Sequence, residues 1–412
     1  MSSSLRLAAT LALLAGAAPA CAEPAIARSP GSYERFEVTA PDGVPEIPFT
    51  MINNHVLLPV RVQGIGPLRL LLDTGMPGPG ILLYRTAKAE RLPLRFDPER
   101  RVQVRGAGGE GQYLDAKVAP SESISLPGLE ITDSRVLVLP VNSHFSSYHD
   151  GTIGRSLFIR FTVEIDYERQ VVRLHEPDSF SPPAGSKILP IHLQRKVPHV
   201  DLPIQMADGR RVEAHFVIDL GAAHAISLNT AASRHIKVPG TSLSTLLGRG
   251  LSGPIRGRVG RIAELDLAGY VLEQVVTSFP ILEHQNPRRT ENLGGNLGNE
   301  VLRRFDLFFD YTGGRLILRP NRDFSDSFVY DHSGLHLSYG EQFRVEHVLE
   351  GSPAAAAGVE VGDVLTHLAG EIVGAPQIDK VRDALRLQGD LEVTLKRGAV
   401  TLQKVIRLRR LI

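Results

Sequence analysis

Residues 50–177 and 190–320 carry the same landmarks in the same order, so whatever the first stretch folds into, the second must fold into again. The first copy runs from His55 through an apolar stretch to a turn at 64–67, then through residues 68–72 into Asp73-Thr74-Gly75. The second runs through 200–205, turns at Asp208-Gly209, and continues through 212–218 into Asp219-Leu220-Gly221. The alternation and the turn residues predict two β-hairpins, each ending in Asp-x-Gly. Gly154 of an Ile153-Gly154 pair lies 81 residues past Asp73, and Gly298 of Leu297-Gly298 lies 79 past Asp219. Arg160-Phe161 leads to Asp166-Tyr167 and Pro177, as Arg304-Phe305 leads to Asp310-Tyr311 and Pro320. Such a register predicts a pseudo-dimer within one chain, its lobes related by a pseudo-two-fold axis.

The chain has 412 residues, 42% of them hydrophobic and 22% charged, enough for cores in more than one domain. Its 39 glycines and 28 prolines divide it into short alternating runs, which predicts a mainly β protein. Residues 178–186 are polar and proline-rich without periodicity, and read as a linker between a first lobe at 23–177 and a second at 187–322. A different pattern occupies 331–412.

Residues 1–22 read as a secretory signal: Arg6, an apolar run, then Ala20-Cys21-Ala22 before Glu23. Cleavage after Ala22 removes the single cysteine and predicts a periplasmic or secreted protein with no transmembrane helix. The alternative is a lipoprotein anchored through Cys21, against which Ala18 stands where a large aliphatic residue is expected. With 46 basic and 45 acidic residues, nothing in the charge points to nucleic acid.

An aspartate closing an apolar strand sits beside a core that disfavours its charge, and the glycine two residues on permits a sharp turn with amides near the carboxylate. One Asp-x-Gly alone is a turn. Two, on lobes that face each other, bring Asp73 and Asp219 together, where two carboxylates share a proton and titrate as a pair. The ionised member can then draw a proton from water while the protonated member serves the substrate carbonyl, with neither metal nor cofactor required.

These motifs resemble those of the retropepsin and pepsin-like aspartic peptidases, in particular exported bacterial members with two lobes and an appended PDZ domain. The resemblance implies two pepsin/retropepsin-like β-barrel lobes. It also implies a catalytic dyad of Asp73 and Asp219, active-site loops formed by Thr74, Gly75, Leu220 and Gly221, and aliphatic-Gly pairs threaded behind them. Two departures stand out. Leu220 replaces a hydroxyl residue that hydrogen-bonds across the lobe interface, and Met76-Pro77 replaces the small and polar residues usual after the first glycine.

Gly106-Ala-Gly108-Gly109-Glu-Gly111 matches a dinucleotide-binding pattern, yet a strand-like run follows it instead of a helix. Gly248-Arg-Gly250-Leu-Ser-Gly253 repeats it in the second copy, so both read as hairpin tips, flaps in the implied family, with Gly108, Gly109, Tyr113 and Gly250 as candidates. Tyr113 could contact substrate or be a plain strand tyrosine. None of the 14 histidines forms a metal motif; His224 reads as a loop or surface residue that would affect the dyad only by pointing inward.

After Gly334 come two short strands, Gly351-Ser352-Pro353, Gly362-Asp363-Val364-Leu365, a helix near 377–387 and two closing strands. This order is similar to a PDZ domain, which adds a peptide strand to its sheet edge and receives a carboxylate terminus near Gly334, Leu335, His336 and Leu337. His336 replaces the second glycine of the usual loop. The expectation is an aspartic endopeptidase, monomeric, acting on a polypeptide that the PDZ domain recruits. The alternatives are an inactive peptide-binding scaffold, or a first lobe that works across a homodimer.

Overall fold

The computed structural model describes residues 34–76, 78–108, 113–121, 123–139, 148–281, 293–340 and 342–412, and its chain is mainly β. At the heart of the first lobe, His55–Val62 runs antiparallel to Ile65–Asp73, with Leu58 opposite Leu70. Gly151–Gly154 lies parallel to the second of these strands, with Gly154 opposite Asp73, and Ile81–Leu83 pairs on its other side. A Cβ on Gly154 would fall 1.9 Å from the Asp73 carbonyl oxygen, so glycine is required there by close approach.

The second lobe repeats the arrangement. Val197–Gln205 pairs with Arg211–Ile218, and Gly295–Leu297 lies parallel to the latter with Leu297 opposite Ile218. Period-two alternation turns Leu68, Leu70 and Leu72 in one lobe, and Ala214, Phe216 and Ile218 in the other, into a single buried core. Leu57 and Leu71 point to the opposite face, where the C-terminal domain covers them.

A six-stranded sheet joins the lobes, running Lys187–Pro190, Arg315–Pro320, Phe305–Asp310, Thr162–Asp166, Val171–His175, Glu46–Pro48. Its central ladder sets Glu164 opposite Phe308, four residues after Arg160 and Arg304 respectively, so each copy meets its counterpart at a local two-fold. Pro177–Ser179 forms one 3-10 turn, and the chain takes up its next strand at Lys187.

In the C-terminal domain, Leu335–Tyr339, Phe343–Val348, Val364–Leu368, Gly389–Arg397 and Val400–Leu408 follow one another across a sheet whose edge is Leu335–Tyr339. The longer of its two helices is Ile378–Ala384, shorter than its sequence pattern predicts, beside a short turn of helix at Pro353–Ala356. All of this lies in one compact unit, Glu34–Ile412. Among the described residues no helix is long and apolar enough to cross a membrane.

Candidate active site

Asp73 is the last residue of its strand and Asp219 follows directly on Ile218, so each carboxylate leaves an apolar strand at the same point. The glycines that follow turn their amides back: Gly75 N donates to Asp73 Oδ1 at 2.7 Å and Gly221 N to Asp219 Oδ1 at 2.9 Å. The two carboxylates converge. A Cβ on Gly221 would lie 2.9 Å from Asp73 Oδ1 and 3.1 Å from Asp219 Oδ1, and one on Gly75 would also meet both. A side chain on Gly221 would have to displace a carboxylate, and one on Gly75 would crowd both.

Thr74 is buried and ties the lobes together. Its hydroxyl donates to the Ile218 carbonyl at 2.7 Å and accepts from Leu220 N at 3.0 Å, gripping the backbone on both sides of Asp219. Leu220 cannot return the bond; it is fully buried and packs into the common core. The interface keeps one reciprocal half of its hydrogen bonding and exchanges the other for apolar burial.

The carboxylates differ in their surroundings. Burial, followed by the charge of Asp219, pushes Asp73 up to about 7 against the amides of Gly75 and Met76. Asp219 has a donor on each oxygen, because Asn296 Nδ2 donates to its Oδ2 at 2.7 Å. The matching residue of the first copy, Thr152, turns its hydroxyl to Met76 Sδ at 3.6 Å. Asn296 is absent from the sequence-based candidates. Its only signal is a polar residue repeated between glycine and an aliphatic-Gly pair, Thr152 and Asn296.

His224 is exposed at the rim, yet its ring feels Asp219 and Asn296. Behind the loop, buried His55 sets Nε2 3.1 Å from the Gly221 carbonyl, and Asn54 Nδ2 donates to the Ala223 carbonyl at 3.0 Å. Among the described residues no cluster of three or more His, Cys, Asp or Glu side chains could hold a metal ion.

The described part of the first glycine-rich segment, 106–108, meets the second. Ser252 N donates to the Ala107 carbonyl at 3.0 Å, and Gly106 N to Ser252 Oγ at 3.1 Å. Side chains on Gly108 or Gly250 would strike backbone carbonyls about 2 Å away, at Gly253 and Ala107 respectively. Leu251 packs onto the apolar cluster of Met76, Leu82 and Tyr84 beside the first aspartate loop. Tyr113 is exposed, with Arg105 5.8 Å from its ring centre, and Gly109 lies outside the described residues.

In the C-terminal domain, Gly334 has a positive φ of 77° and leads into the edge strand that carries Leu335, His336 and Leu337. The amides around it are already engaged. Ser333 N and Gly334 N donate to Asp331 Oδ1 at 3.0 and 2.5 Å, and Leu335 N to Ser333 Oγ at 3.0 Å.

Residues 58–157 match the family profile described as aspartyl protease, and residues 344–396 match that of the PDZ domain. No curated protein matches the chain in sequence. Among solved structures it is similar to an aspartic proteinase from Irpex lacteus, at 14% identity and a TM-score of 0.46, over 69% of this chain and 99% of that one. The chain thus carries a region of the aspartyl protease family, which includes Asp73-Thr74-Gly75, and a PDZ domain downstream of it.

Proposed function

We propose that the chain is an aspartic endopeptidase whose catalytic residues are Asp73 and Asp219. The observation that carries this reading is the convergence of the two carboxylates on Gly75 and Gly221 in unequal surroundings. Asp73, raised by burial, keeps its proton up to about pH 7. Asp219, with a donor on each oxygen, takes the negative charge. A water between them loses a proton to Asp219 as its oxygen bonds to the peptide carbon, while Asp73 gives its proton to the carbonyl oxygen. In the tetrahedral diol that results, the amide nitrogen takes a proton from Asp219, the C–N bond breaks, and the proton on the diol oxygen returns to Asp73 as the new carboxyl group forms. Two acids and one water balance the reaction.

The joined hairpin tips would exclude bulk water and must part to admit an extended chain. The N-terminal signal pattern supports an exported enzyme. The decisive experiment incubates an unfolded protein with the wild type, Asp73→Asn and Asp219→Asn between pH 3 and 8, with fragments read by mass spectrometry. Cleavage by the wild type alone is expected; undiminished cleavage by both variants would overturn the reading. Leu220, with no hydroxyl to complete the interface, favours a second reading as a peptide-binding scaffold, for which binding without fragments is the sign.

A further inference from the structure

A peptide added to a PDZ sheet lies between the edge strand, here Leu335–Tyr339, and the helix, here Ile378–Ala384. In this chain the first lobe reaches that place. Ile52, Leu57, Leu71 and Tyr148 join the apolar cluster of Leu337 and Val381. The Tyr148 hydroxyl feels both Tyr339 on the strand and Asp379 on the helix. Asn53 N donates to Asp379 Oδ1 at 3.0 Å. Meanwhile the amides of Ser333, Gly334 and Leu335, the natural receivers of a terminal carboxylate, are held by Asp331 and Ser333.

The turn that reaches the PDZ domain is also the one behind the second aspartate loop. Asn53 and Asn54 both take left-handed φ, 53° and 60°, a conformation asparagine tolerates better than most residues. The turn therefore reverses within two residues. On its far side Asn54 donates to the Ala223 carbonyl and bonds Glu300, which faces Arg386 of the C-terminal domain at 3.9 Å. His55 Nε2 must carry the ring proton, because its partner is the Gly221 carbonyl; Nδ1 then accepts from the Tyr148 hydroxyl at 3.2 Å. A short chain of contacts links the PDZ helix, the Asn53–His55 turn and the loop that carries Asp219.

We infer that the PDZ domain takes the chain's own Ile52–His55 turn as its ligand and, through it, braces the 219–224 loop, so that it serves as a fixed part of the active site and not as a receptor for free chain ends. His55 and Asn54 are positioning residues in this scheme. The kinetic part rests on the peptidase reading; the structural part stands apart from it.

The test is hydrogen exchange on the full chain without substrate, so a protein that never cleaves still answers it. Ile52→Ser with Asp379→Ala, and separately His55→Phe, which keeps Ile52 and the Asn53–Asp379 bond in place, should each speed amide exchange in 219–225 by about tenfold. Val400→Thr, on an exposed PDZ strand, should not. His55→Gln, which restores a donor, should recover part of the protection. In cleavage assays the same variants should lower kcat by about tenfold with KM little changed. A decapeptide ending in valine should bind the wild type no better as a free acid than as an amide. Exchange in 219–225 unchanged in both His55→Phe and the paired variant, or clear preference for the free acid, would overturn the inference.

Discussion

Asp219 is held by three different kinds of bond. Thr74 grips the backbone before and after it, Gly221 N meets one oxygen, and Asn296 meets the other. Of these, the Asn296 bond joins an amide donor to a carboxylate oxygen, and a hydrogen bond to a charged group is worth about 1.5–3 kcal/mol. Asn296→Leu is expected to lower kcat by at least about tenfold and leave KM nearly unchanged; steady-state kinetics checks both. The aspartates and Thr74 can be read from the chain because Asp-x-Gly recurs with a fixed spacing. Asn296 cannot, since it bonds a residue 77 positions upstream through a parallel register that no local pattern states. Leu220 is legible as a departure, but its burial in the common core, which explains why a hydroxyl is absent, belongs to the folded molecule.

Among elements, the strands are the part most open to sequence reading. Each apolar run in the two Asp-x-Gly hairpins pairs as its alternation predicts, and the aliphatic-Gly segments lie beside the aspartate strands. What the hairpin tips do to each other is not written in either one. Two glycine-rich loops, each permissive alone, fit against each other only because Gly108 and Gly250 carry no side chain where they cross. Gly250→Ala should drive the tips apart, since its methyl would sit 2.0 Å from the Ala107 carbonyl oxygen. The expected result is faster amide exchange at 105–108 and 251–253 with the unfolding midpoint shifted by a few degrees at most, roughly 1 kcal/mol for a surface loop. The engaged amides before the PDZ edge strand are equally invisible in sequence, because the Asp331 carboxylate that holds them could as well have faced solvent.

For the molecule as a whole, the raised Asp73 makes stability depend on pH. Its folded value of about 7 exceeds the ordinary 3.8, so the native state holds that proton more tightly than the unfolded chain does. This contribution is complete below about pH 4 and is lost as the pH rises through 7. Asp73→Asn should therefore be more stable than the wild type at pH 8, by about 1–3 kcal/mol, and nearly equal to it at pH 4. Denaturant titrations of both proteins at the two pH values read the difference directly, and an equal gap at both would count against a shared proton.

The sheet that joins the lobes has a consequence for the order in which the protein can be made. Thr162–Asp166 has its neighbour at Phe305–Asp310, more than 140 positions later in the chain. A growing polypeptide therefore completes its first half with one flank of that strand bare, an open template for any other extended segment. Until the later strand is synthesised and docks, only a partner from outside can cover it. Productive maturation thus waits for the strand at 305–310, and a ribosome stalled before it would yield a fragment prone to stick to its own kind.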